Sequence, residues 1–191
     1  HMGHFGGSMD GVAQGIPDLP EGEPCLTEFK THNDASFTKL MSAGVLNAKW
    51  EHFVQMQIYM GKNNLKFSLY AATNKNNDAI HLELVQFDPV QYQKYLDRSV
   101  MVIDSPTPPP KLNESPGWYD CKWCDQKGVC HGKEAPARNC RTCMWSCPID
   151  NGEWVCNIPT QPDGGGLGKL LSPEDQRLGC DAYQVKDCYQ K

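Results

Sequence analysis

Five side chains in the first sixty residues are spaced for phosphodiester chemistry. Asp10 closes the Gly-rich run Gly6-Gly7-Ser8-Met9-Asp10, and eighteen residues later Glu28-Phe29-Lys30 lies within Cys25-Leu26-Thr27-Glu28-Phe29-Lys30-Thr31. Two carboxylates can hold Mg²⁺ or Mn²⁺, and an ammonium beside them can orient or deprotonate an attacking water. Residues i and i+2 of a strand share a face, so Glu28 and Lys30 are expected to project together while Phe29 points into the core. Gln55 and Tyr59 follow at helical spacing. Taken singly these features are bland: E-x-K usually forms a solvated ion pair, and an Asp after glycines is usually a turn residue. Their order carries the weight: Gly-rich strand with Asp, acidic hairpin, strand with Glu-x-Lys, then a helix with Gln-x3-Tyr.

In that order the chain resembles the PD-(D/E)XK nuclease superfamily, in particular its RecB-like and phage lambda exonuclease-like branch. Asp10, Glu28 and Lys30 fall on the D…ExK signature and Gln55-Met56-Gln57-Ile58-Tyr59 on the Q-x3-Y motif, over roughly residues 3–100. The resemblance implies an α/β (α+β) restriction-endonuclease-like core, a small central mixed sheet flanked by helices. It implies that Asp10, Glu28 and the Phe29 backbone carbonyl hold Mg²⁺ or Mn²⁺. Lys30 would then position water, and Gln55 and Tyr59 would orient that water or the nearby phosphate. The activity implied is a DNA exonuclease of phage or bacterial recombination and repair, cytoplasmic, with a single-strand-annealing or other recombination protein as a partner. The family usually has a helix before the first catalytic strand, for which this chain leaves no room; His1-Met2 fits a cloning scar on a trimmed chain.

The elements that must position these residues are legible from pattern. Residues 3–16 read as a strand, 17–24 as an acidic turn region and 25–31 as the second catalytic strand. A loop and short helix are expected over 33–47, and a longer helix from Trp50 to Met60. On the latter Phe53, Met56 and Met60 suit the core, and His52, Gln55 and Tyr59 form an adjoining stripe. Gly61 and Asn63-Asn64 should end it. Strands are expected over 65–73 and 79–87, the second alternating Ile80, Leu82 and Leu84 against His81, Glu83 and Val85, before a helix from Pro89 to Val102. His32, Lys49 and His52 are secondary candidates for contact with the scissile strand. The expected organisation is a core over 1–104, a stiff linker over 105–117 carrying Pro106, Pro108, Pro109, Pro110 and Pro116, and a Cys-rich segment over 118–191.

The chain has 191 residues, enough for one ordinary core and a smaller appendage, and a mean hydropathy of -0.57. No apolar run reaches the ~20 residues that span a bilayer, and the start has neither basic nor apolar character of a signal peptide. The net charge of -5 is unusual for a duplex binder. Residues 1–104 hold 8 Lys and Arg against 12 Asp and Glu, so -4, and residues 105–191 hold 10 against 11, so -1. Positive charge gathers at Lys122, Lys127, Lys133, Arg138 and Arg141, which would be either part of a phosphate track or a solubilising surface.

Nine of the ten cysteines follow the linker: Cys121-x2-Cys124-x5-Cys130-His131, then Cys140-x2-Cys143, Cys147, Cys156, Cys180 and Cys188. C-x2-C sets two thiolates on one turn at chelating distance. Disulfides of a secreted domain are the rival reading. The spacing is allocated here to two Zn²⁺ sites, Cys121/Cys124/Cys130/His131 and Cys140/Cys143/Cys156/Cys180. Ser172, Pro173 and Gly179 are expected to cap, start and end a short helix before Cys180. The resemblance offers a [4Fe-4S] cluster instead, since C-x2-C-x5-C matches three ligands of the AddB-type staple; its fourth ligand precedes the core, where this chain has no cysteine before Cys25. Cys25, Cys147 and Cys188 read as ordinary thiols. Gly164-Gly165-Gly166 reads as a flexible loop without the Lys-Ser/Thr of a P-loop, and Trp118, Trp123, Trp145 and Trp154 as hydrophobic contacts of a small metal-stapled unit, or base-stacking surfaces. The reading of a different class is a non-catalytic nucleic-acid- or protein-binding module on a nuclease-like scaffold.

Overall fold

The computed structural model describes residues 2–159 and 168–190, so the triple-glycine segment lies outside the described residues. The chain is mixed α/β and divides into two compact units, Gly7–Ser99 and His1–Gly6 with Val100–Lys191.

The first unit is built on a four-stranded sheet in the order β1-β2-β3-β4: β1 (Gly11–Ala13), β2 (Cys25–His32), β3 (Phe67–Asn74) and β4 (Ile80–Gln86). β1 pairs antiparallel to β2, β2 parallel to β3, and β3 antiparallel to β4. The expected strand over 3–16 shrinks to β1, and Met2–His4 is a 3-10 turn. Glycines at 3, 6, 7, 11 and 15 supply too few side chains to hold a longer ladder.

A parallel pair needs a long crossover, and two helices provide it: α1 (Asp34–Ala48) and α2 (Trp50–Asn63). The Asn33 side chain caps α1 by accepting from Ser36 N. The loop and short helix expected here form one 15-residue element, broken at Gly44, whose φ of 70° ends the first segment. Glu83 of β4 restarts it: both carboxylate oxygens accept from Val45 N, at 2.9 and 3.1 Å. α2 runs past Met60 to Asn63, where Asn64 in the left-handed region closes it. Gly61 lets the Tyr92 ring of α3 (Pro89–Asp104) lie against the α2 backbone.

The core gathers Leu26, Phe37, Leu40, Val45, Phe53, Met56, Met60, Tyr70, Ala72 and Val85 under the two helices. Phe53, Met56 and Met60 are buried as the helical spacing predicts. The two helices cover one face of the sheet; on the other face Cys25 and Thr27 are buried, while Phe29, Ile80 and Leu82 are exposed. Leu26, Glu28 and His32 of β2, and Ser68, Tyr70, Ala72 and Asn74 of β3, face the helices and are buried. Phe29 therefore does not point into the core: it is 60% exposed, on the opposite face, level with Ala71 and Leu82 across the strands. Ile80 and Leu82, the more apolar side of β4, lie on this open face, and Val85 on the covered one. Among the described residues no helix is long and apolar enough to cross a membrane.

In the second unit, residues 105–117 form neither helix nor strand, as the prolines require. Two single-turn helices follow, α4 (Tyr119–Lys122) and α5 (Lys127–Cys130), then an antiparallel three-stranded sheet of β5 (Ser146–Pro148), β6 (Trp154–Cys156) and β7 (Lys169–Leu171). α6 (Pro173–Arg177) opens on a capping box between Ser172 and Asp175, with Pro173 in its first turn. Trp118 and Trp123 are exposed, so they are not among this unit's buried contacts.

Candidate active site

β1 and β2 bring the acidic residues and the lysine together. Asp10 stands immediately before β1, and one of its carboxylate oxygens accepts from Phe29 N at 2.8 Å. This bond fixes Asp10 between Glu28 and Lys30 along β2. Glu28 and Lys30 share the helix-facing side, as their spacing predicts, and the Lys30 ammonium bonds Glu28 Oε1. Glu28 is fully buried, and its Oε2 has no hydrogen-bond partner among the described residues. A buried carboxylate oxygen left without a donor costs several kcal/mol unless a cation compensates it.

Gln55 and Tyr59 lie on α2 with their side chains joined at 3.5 Å. The Tyr59 hydroxyl packs so closely on Gly7 that a Cβ there would come within 2.6 Å of it. Tyr59 thus sits under the Gly-rich run leading to Asp10. Among the described residues, neither side chain hydrogen-bonds Asp10, Glu28 or Lys30.

Beyond Lys30, at the carboxyl ends of the parallel pair β2 and β3, opens a pocket of about 490 Å³. Its lining includes Lys30, His32, Lys49 and His52 and no acidic side chain. Tyr70, the β3 residue paired with Glu28, is fully buried, and its hydroxyl meets two of the lining histidines. The Tyr70 hydroxyl lies 2.9 Å from His32 Nε2 and 2.8 Å from His52 Nδ1, and His32 Nδ1 lies 3.0 Å from Ser36 Oγ. Burial holds both imidazoles below the ordinary histidine value; Lys49 and Lys30 push the same way and Glu51 opposes. Burial, then the charges of Glu28, Glu51 and Glu83, drives the Tyr70 phenol far up. Near neutral pH the three groups are therefore two neutral imidazoles and a phenol.

The sequence marked His32, Lys49 and His52 but not Tyr70 or Ser36. Nothing local distinguishes Tyr70 from an ordinary strand aromatic, because its partners come from 38 and 18 residues away.

All ten cysteines are free thiols. Among the described residues, no three or more His, Cys, Asp or Glu side chains are already arranged to hold a metal. The second allocated set is nonetheless drawn into one neighbourhood. Cys140 and Cys143 share a 3-10 turn, Cys143 N donating to Cys140 O at 3.1 Å. The Ser146 hydroxyl donates to the carbonyls of both residues, and Ser146 is the cross-strand partner of Cys156. Arg138 donates to the Cys180 carbonyl at 2.8 Å, and Cys140 Sγ lies 3.6 Å from Leu178 O. Burial raises the Cys140 thiol, and Cys143, Cys180, Cys156 and Asp175 raise it further. In the first set Cys121 is buried while Cys124 and Cys130 are exposed, and His131 Nε2 is buried without a partner. No family, curated protein or solved structure matches the chain.

Proposed function

We propose that this chain is a metal-dependent deoxyribonuclease of PD-(D/E)XK type, acting as an exonuclease on DNA in phage or bacterial recombination or repair. The observation that carries the reading is Glu28. A fully buried carboxylate has one oxygen on Lys30 and the other without a donor, next to a second carboxylate held by the backbone of the same strand. The order of elements supports it too: a β1-β2 hairpin with the acids, then a helical crossover to a parallel strand.

Asp10, Glu28 and the Phe29 carbonyl would hold Mg²⁺ or Mn²⁺. When bound, such an ion polarises the phosphoryl group and makes water a stronger acid. Lys30, anchored through Glu28, holds its ammonium where it can orient a water or neutralise charge on the reacting phosphate. Gln55 and Tyr59, one turn apart on α2, would orient the water or the adjacent phosphate.

In the second unit, Cys140, Cys143, Cys156 and Cys180 suit Zn²⁺, since a divalent ion would offset the burial and the mutual repulsion that raise the Cys140 thiol. Cys121, Cys124, Cys130 and His131 are assigned to a second Zn²⁺ or, on the runner-up reading, to an iron–sulfur cluster. Metal analysis and the visible spectrum of the purified protein separate the two.

The test is cleavage of end-labelled linear duplex and of closed circular DNA, with Mg²⁺ or Mn²⁺ and with EDTA. Cleavage of linear DNA alone, abolished by EDTA and by Lys30→Ala, is the expected result. Wild-type activity in Lys30→Ala would remove Lys30 from the chemistry. No cleavage of either DNA by the wild-type chain would leave the binding-module reading in its place.

A further inference from the structure

We propose that the pocket lined by Lys30, His32, Lys49 and His52 is a binding site for a phosphate of a nucleic-acid strand, with Ser36, His32, the buried Tyr70 and His52 forming one hydrogen-bond chain that sets whether His52 Nε2 carries a proton to offer the ligand. The inference rests on the nuclease reading for the identity of the strand, while the phosphate site itself stands on the pocket.

The lining carries two ammonium groups and two imidazoles and no carboxylate. Glu28 already pairs with one of these ammonium groups, Lys30, and Glu51, 3.9 Å from His52 Nε2, has its side chain largely in solvent. The chain beneath is 3.0, 2.9 and 2.8 Å at its three links, all hydrogen-bond distances. With both imidazoles neutral, Tyr70 has one proton to give and one acceptor position used, so only two concerted arrangements satisfy every member. In one, Ser36 donates to His32 Nδ1, His32 Nε2–H donates to Tyr70, and Tyr70 donates to His52 Nδ1. His52 then carries its proton on Nε2 and offers a donor. In the other every bond reverses and His52 Nε2 is a bare acceptor, which repels an anion. A phosphate oxygen in the pocket selects the first arrangement, and His32 must change tautomer with His52. Tyr70 is thus a positioning residue, acting through His52.

The chain selectively labelled with ¹⁵N-histidine is titrated with inorganic phosphate in EDTA, so that no divalent ion carries the anion, and the imidazole nitrogens are read by long-range ¹⁵N–¹H correlation. Saturable shifts are expected, with His52 moving to the Nε2–H form and His32 following. Tyr70→Phe should weaken phosphate about tenfold and uncouple the two histidines. Lys49→Gln, a half-exposed change that does not test the core, should also weaken it about tenfold. Glu51→Gln should tighten it about twofold. A single-stranded deoxyoligonucleotide should bind at least about tenfold tighter than thymidine monophosphate because adjoining phosphates add contacts. Equal affinity would overturn the assignment to a strand. Absence of any shift in protein that cleaves DNA would overturn the phosphate site and leave the nuclease reading standing. Saturable, coupled shifts in protein that does not cleave would do the reverse.

Discussion

Glu28 and Lys30 form a pair whose value lies in what it leaves unmade. Lys30 compensates one buried oxygen of Glu28, and the other has no partner among the described residues; on the proposed reading a divalent cation fills that place. Mn²⁺ at a hundredfold excess over its dissociation constant should stabilise the folded chain by about 2.7 kcal/mol, a rise in melting temperature of about 5–10 °C. Glu28→Gln should abolish that rise in a thermal melt; a rise of wild-type size in the variant would place the metal elsewhere. The two histidines make a second prediction, of pH dependence. Their folded-state values are depressed by burial, so the unfolded chain takes up protons first as pH falls below about 6.5. Stability is complete above that pH and declines below it, down to the depressed values. Urea midpoints from pH 8 to pH 5 should fall accordingly, and His52→Gln should flatten the slope.

At the scale of elements, α1 depends on a carboxylate from another strand. Gly44 turns through the left-handed region, and Glu83 caps the segment that restarts at Val45. Glu83→Ala should cost about 1–2 kcal/mol, as loss of a helix cap does. Gly44→Ala should destabilise as well, because the new Cβ would lie 3.1 Å from Glu83 Oε1 at a φ that side chains resist. Both are read from denaturant midpoints. β2 supplies the contrary case. A buried Phe lost to a small residue costs about 3–5 kcal/mol, but Phe29 lies on the open sheet face, so Phe29→Ser should change stability by about 0.5 kcal/mol or less. A core-sized loss would show that this face is covered in solution.

At the scale of the whole molecule the two units differ in what holds them together. Gly7–Ser99 has a continuous buried cluster drawn from two helices and three strands. Among the described residues of the other unit, the buried apolar side chains are Cys121, Cys143, Val155 and Leu171. So few contacts do not offset the entropy of ordering such a segment, and small domains of this kind need staples. If the proposed Zn²⁺ sites are that staple, a strong zinc chelator should remove the amide-exchange protection of β5, β6 and β7 and spare that of β2 and β3. Cys140→Ser should do the same without chelator.

Local pattern determined much of this protein. Strand alternation, helical spacing, the Asn64 stop, the Ser172 cap and the Pro-rich linker depend on neighbours within a few residues, and their signals are written where they act. The pairing of Glu28 with Lys30 was equally legible, because two residues on one strand must share a face. The face that would be buried was not legible, since it depends on which side of the sheet α1 and α2 come to lie. That choice sent Phe29 to the surface and buried Tyr70. The Tyr70 hydroxyl then met two histidines from distant elements, and Asp10 found the Phe29 amide across a hairpin turn. Such meetings are made by strand register and helix packing, which only the folded chain decides.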